Sequence, residues 1–207
     1  MGTMIGSRLT LDSYLGLLAE SLQSIDKKAI EKWADLLYHA WENGKQVFIF
    51  GNGGSGTTAS HMSEDLGKSS LPESELYNEV RKRLKVMSLT DNIGWIMAVA
   101  NDLGYEDIFC QQLMNYGNEG DLVIAISGSG NSPNVLKAVD WANRHRLVTF
   151  GLTGFDGGKL KEVQQMGLHV NVSDMGITES LHLAVFHWVL DDLYGRINAK
   201  GRYAEEG

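Results

Sequence analysis

Two short stretches of this chain combine glycine with hydroxyl and amide side chains in a way that suits an anion. They are Ser127-Gly-Ser-Gly-Asn-Ser132 and Gly51-Asn-Gly-Gly-Ser55. A phosphate monoester needs converging N–H donors and hydroxyls that donate further. Glycine lets the backbone come close, and a helix N-terminus adds partial positive charge. Ser127, Ser129 and Ser132 each offer a hydroxyl. No lysine follows Ser127–Ser132 in the Walker arrangement, so a nucleoside triphosphate is disfavoured, and Gly51-Asn-Gly-Gly-Ser55 lacks the spacing of a dinucleotide fingerprint. A single turn of this kind is as readily a plain strand-to-helix connection. Two of them at the carboxyl edge of one sheet favour a ligand.

The candidate reactive groups are imidazoles and carboxylates. His61 and Asp65 lie four residues apart, which puts them on one face of a helix. Glu179 stands near the start of a C-terminal helix that also carries His182 and His187. Imidazole with carboxylate suits zinc or a similar divalent cation, or an acid/base pair. At 100° per residue, His182 and His187 point about 140° apart. Spacing alone does not choose which of them partners Glu179. Either Thr178 or Asp174 can cap that helix, and Glu179 then also reads as an acidic residue favoured by the helix dipole.

The elements that must position these groups follow from periodicity. Residues 11–43 carry apolar positions at helical spacing in two segments, including Leu15, Leu18, Leu22, Ile30, Trp33, Leu37 and Trp41. Residues 46–50, 84–89, 121–126, 147–152 and 169–172 are short apolar runs read as strands. Helical segments are expected after each turn, at residues 92–100 and 108–116, and over residues 177–197. Pro133 falls in the first turn of the helix after Ser132, where its missing N–H costs nothing. Residues 68–83 are polar and read as a loop or lid. Strand, turn and helix in alternation predict a three-layer α/β sandwich around a five-stranded parallel sheet, with helices added at the N-terminus.

The 207 residues allow one such domain, expected to span 1–207. The formal net charge of -8 leaves no basic field for nucleic acid, so an anionic substrate must be held by local donors. Cys110 is the only cysteine, which excludes an internal disulfide and suits a reducing cytosol. With no apolar run of membrane-spanning length and no leader pattern at the start, the expected setting is cytoplasmic, without a membrane partner.

Taken together, Gly51-Asn-Gly-Gly-Ser55 followed by His61, then Ala100-Asn-Asp-Leu-Gly-Tyr105, then residues 120–132 resemble the phosphoheptose isomerase family of the sugar isomerase (SIS) fold. The similarity runs over residues 11–197. It implies an aldose–ketose isomerase that converts sedoheptulose 7-phosphate to D-glycero-D-manno-heptose 7-phosphate through an enediolate, with zinc and as a homotetramer packed partly through residues 11–43. The family's phosphate ligands fall on Ser55, Ser127, Ser129 and Ser132, and its sugar contacts on Asn52, Gly53, Asn101 and Asp102. Its metal histidines fall on His61 and His187, which leaves His182 for another role such as a subunit contact. Three positions depart from the family pattern. Asp65 stands for the catalytic glutamate, one methylene (about 1.5 Å) shorter. Glu179 stands for a glutamine metal ligand, and Gly128 for a threonine of the phosphate loop. The expected roles are Asp65 as base, with Glu64 as a second choice, His187 as acid, and His61, Asp65, Glu179 and His187 around the metal. Lys68 is a possible countercharge. Two other readings fit the same residues: a non-catalytic sugar-phosphate-binding or interaction module, and an isomerase of another chain length such as an octulose phosphate.

Overall fold

The computed structural model describes residues 9–204. Two helices come first, α1 (Leu11–Ser24) and α2 (Lys27–Glu42). Each starts where a side chain can replace a missing backbone partner. Thr10 accepts from the Ser13 N–H at 3.2 Å and Asp26 from the Lys28 N–H at 2.9 Å. The alternation then follows: β1 (Gln46–Gly51), α3 (Gly53–Lys68), β2 (Lys85–Ser88), α4 (Ile93–Asp102), α5 (Cys110–Tyr116), β3 (Leu122–Ser127), α6 (Pro133–Arg144), β4 (Val148–Thr153), α7 (Gly158–Val163), β5 (Met166–His169) and α8 (Met175–Asn198).

The five strands are all parallel and lie in the order β2-β1-β3-β4-β5. Every residue of the central β3 is buried, as expected of a strand covered on both faces. The two-residue period of the strands divides their side chains between two cores. Val47, Ile49, Ile124 and Leu152 face α2, α3 and α8, where Trp33 stacks on Phe150 at 5.5 Å between ring centroids. Phe48, Phe50, Val123 and Ala125 face α5 and α6 together with Phe109, Leu113 and Val139. The result is the expected three-layer sandwich. No helix among the described residues is long and apolar enough to cross a membrane.

Some boundaries differ from the sequence reading. The fifth strand is Met166–His169, three residues earlier than expected. Val170 and Val172 are buried, but they lie beyond the strand. A six-residue helix, α7, precedes it, too short to show a period. The last helix begins at Met175, because Asp174 is its cap: its carboxylate accepts from the Ile177 N–H at 2.9 Å. Thr178 is inside the helix, where its hydroxyl donates to the Asp174 carbonyl at 2.8 Å.

Candidate active site

In a parallel sheet every strand-to-helix turn opens at the carboxyl edge, and both glycine-rich turns lie there. At the first, β1 ends on Gly51. A Cβ at this position would lie 2.8 Å from the Ile126 carbonyl oxygen, so the close approach to β3 requires glycine. Asn52 caps α3 without a side-chain cap bond, and Ser55 is buried in the first helical turn. At the second, the Gly130 N–H donates to the Ser127 carbonyl at 2.9 Å and closes a tight turn. Ser127 is buried, with its hydroxyl 3.2 Å from that of Ser132. Ser129 is exposed, and its Oγ accepts from the Asn131 N–H at 3.3 Å. Ser132 caps α6 without spending its hydroxyl on the helix.

The two turns are joined by a reciprocal amide pair that sequence reasoning missed. Asn52 Nδ2 donates to Asn134 Oδ1 at 2.8 Å, and Asn134 Nδ2 donates back to Asn52 Oδ1 at 2.8 Å. The Tyr105 hydroxyl donates to the same Asn52 oxygen at 2.9 Å. Asn134 is fully buried, so its polar atoms must find protein partners, and they do. Asn52, Tyr105, Ser132 and Asn134 help line an open cleft of about 440 Å3. The signal available in the sequence was thin: Tyr105 closes the motif at residues 100–105, and Asn134 follows Pro133 at the mouth of the second turn.

The reactive groups come from α3 and α8. His61 Nε2 lies 3.1 Å from Asp65 Oδ2, and His187 Nε2 lies 3.9 Å from the same oxygen. The two imidazoles meet edge to face, with centroids 5.4 Å apart. Ligand atoms of His61, Asp65 and His187 all fall within 4.8 Å of one another. Two imidazoles and a carboxylate are a donor set that fits zinc or a related divalent cation, with a coordination position left open. Glu179 is outside this group. Its carboxylate lies against Gly54, in the first turn of α3, where a Cβ would be 2.4 Å from Oε1, and burial raises its carboxyl above the usual range.

The other candidates sit elsewhere. Asn101 and Asp102 are exposed at the end of α4 and hydrogen-bonded to each other at 2.8 Å. Glu64 and Lys68 pair with one another at 2.6 Å on the exposed side of α3. The lysine's hydrogen bond and charge hold the Glu64 carboxyl below its usual range. Lys68 therefore faces Glu64. His182 does not reach the surface: it is buried, with Nε2 3.2 Å from the Thr153 carbonyl, so it joins α8 to the end of β4 within the chain. Burial pushes its imidazole down to about 4. The Thr153 hydroxyl in turn lies 3.1 Å from His169 Nδ1.

Known proteins are similar to this chain in sequence and fold. Residues 13–154 match the SIS domain family. A phosphoheptose isomerase of Fusobacterium nucleatum is 38% identical over 87% of this chain and 89% of its own length. One from Helicobacter pylori strain P12 is 37% identical over 83% of this chain and 84% of its own. The solved structure of a phosphoheptose isomerase from Francisella tularensis superposes with a TM-score of 0.79 at 28% identity, over 88% of this chain and 95% of that one. With the sheet order, the paired turns and this similarity in hand, the chain belongs to the SIS domain family and, within it, to the phosphoheptose isomerases.

Proposed function

We propose that this phosphosugar isomerase converts sedoheptulose 7-phosphate to D-glycero-D-manno-heptose 7-phosphate, with the phosphate on the serine turn and the carbonyl end at the histidine cluster. The observation that carries this reading is the convergence of His61, Asp65 and His187 from the middles of α3 and α8, two helices whose first turns lie at the sheet edge that also holds Ser127–Ser132. The serines and the amides of the α3 and α6 N-termini hold the phosphate as a remote handle, whose binding energy orients the sugar. Asn52, fixed by Asn134 and Tyr105, presents its remaining N–H to the sugar together with Gly53, and Asn101 and Asp102 contact its hydroxyls.

Asp65 takes a proton from the carbon beside the carbonyl and returns it to the neighbouring carbon. His187 gives and takes the proton on the oxygens, so the chain passes through an enediolate with no net change in charge. His61, Asp65 and His187 would hold zinc. When bound, zinc polarises the carbonyl and stabilises negative charge on the oxygens. The half-exposed histidines, the exposed leucines of α1 and the groove between α2 and α8 beside Trp188 support a homotetramer. The lone cysteine and acidic balance support a cytoplasmic setting.

The test is aldose formation from sedoheptulose 7-phosphate, with and without a chelator. Turnover that stops with chelator and returns with zinc is the expected result. Binding without turnover would turn the reading to a non-catalytic module. Turnover only on an eight-carbon ketose phosphate would move the substrate, and turnover indifferent to chelator would remove the metal.

A further inference from the structure

Three side chains from the start of α8 descend onto glycines at the sheet edge. Glu179 rests on Gly54 in the first turn of α3, Thr178 on Gly154 after β4, and Met175 on Gly128 in the middle of the serine turn. At Gly128 an added Cβ would lie 2.4 Å from the Met175 sulfur and 3.0 Å from its methyl carbon. The glycine is thus the seat of the methionine side chain. We propose that Met175 roofs the phosphate turn and is a positioning residue for the sugar phosphate, an inference that rests on assigning Ser127–Ser132 to the phosphate.

The physical basis is simple. Gly128 lies between Ser127 and Ser129 in the chain, so a side chain resting on it covers one side of the turn that carries them. A thioether is flexible and apolar, and it fills an irregular gap without offering a competing donor. Water kept from one side of the turn leaves the hydrogen bonds to an anion stronger than they would be in an open one. The roof is also held from both ends. Met175 is the first residue of a helix capped by Asp174 and anchored by the buried His182, while Gly128 follows directly from the buried strand β3. The Gly128 carbonyl accepts from the Gly154 N–H at 2.9 Å, which fixes the seat relative to the glycine under Thr178.

The geometry supplies a clean probe. The atoms a Cβ at Gly128 would meet first belong to the free end of the methionine, which can swing aside without moving backbone. Gly128→Ala should therefore displace the roof and leave the fold standing. Met175→Ala removes the roof directly. Each variant is expected to raise KM for sedoheptulose 7-phosphate about tenfold, roughly the value of one well-placed hydrogen bond, with kcat within about threefold. The Ki of inorganic phosphate as a competitor should rise in parallel. The double variant should be no worse than either single, because both remove the same contact. Met175→Leu, similar in volume, should stay within about twofold of the parent.

An unchanged KM and phosphate Ki in Met175→Ala would overturn the proposal, as would a double variant whose effect is the product of the two singles. Should Met175→Ala fail to fold, Gly128→Ala gives the same reading. Ser129→Ala separates the two layers of the inference. If it raises the phosphate Ki and loss of the roof does not, only the roof is wrong. If it leaves the phosphate Ki unmoved, the phosphate assignment itself falls.

Discussion

Around the serine turn polar groups are buried and paired: Ser127 and Asn134 have almost no exposure, and the Asn52 amide is engaged on both its oxygen and its nitrogen. Around the histidine cluster they are open, with 43% of the His61 side chain and 50% of that of His187 exposed. The first region is made of turns fixed by short contacts to neighbouring strands. The second is made of side chains that project from the middles of two long helices. On the proposed reading, a site divided in this way would hold its substrate by a rigid end and react at an adaptable one. Binding and turnover should accordingly be separable by substitution.

The largest expected separation comes from Asp65→Asn. Removing the proposed base should lower turnover by about a thousandfold while the affinity for the sugar phosphate, measured by calorimetry, changes by less than about threefold. Unaltered turnover would place the proton transfer elsewhere and erase the contrast between the two ends. Next in size is the feature both ends share, helix α8, held to β4 by His182. Burial lowers this imidazole from 6.5 to about 4, so the unfolded chain takes up a proton that the folded chain refuses. Stability is therefore full above pH 6.5 and declines as pH falls toward 4, by roughly 3 kcal/mol from this group. His169, also lowered by burial, adds to the decline with the same sign. Thermal unfolding between pH 7 and 4 should show a shallower loss in His182→Gln than in the parent, and parallel curves would dismiss His182 as the anchor. The smallest effect is at the rigid end. Asn134→Ala frees Asn52 and should raise KM about tenfold with kcat nearly unchanged. A drop confined to kcat would show that the amide pair serves the reactive end instead.

Much of this architecture was legible in the sequence because it is local. Strands such as Leu122–Ser127 are continuous apolar runs, and the turns that follow them carry glycine where the chain must bend or close up. The face shared by His61 and Asp65 follows from helical spacing alone. Less was legible where the deciding contact is distant. Strand β5 sits at the sheet edge with one buried residue among four, so Val170 and Val172, buried but outside it, gave the stronger and misleading strand signal. Nothing near His182 in the chain reveals that it meets Thr153, and a histidine on a helix reads equally well as surface or core. Asn134, Tyr105 and Met175 acquire their roles only when remote segments meet. The position of Glu179 over Gly54, apart from the cluster at His61, depends in the same way on how α8 crosses the sheet.

The linked asparagines carry one more implication. Each presents an oxygen to the other's nitrogen, so the match is one of atom identity as well as shape. Aspartate has nearly the same outline as asparagine, yet at either position it would set oxygen against oxygen and leave an ionised group to be desolvated. Exchanging a single nitrogen for oxygen, with no change in volume, would thus be enough to drive the two loops apart.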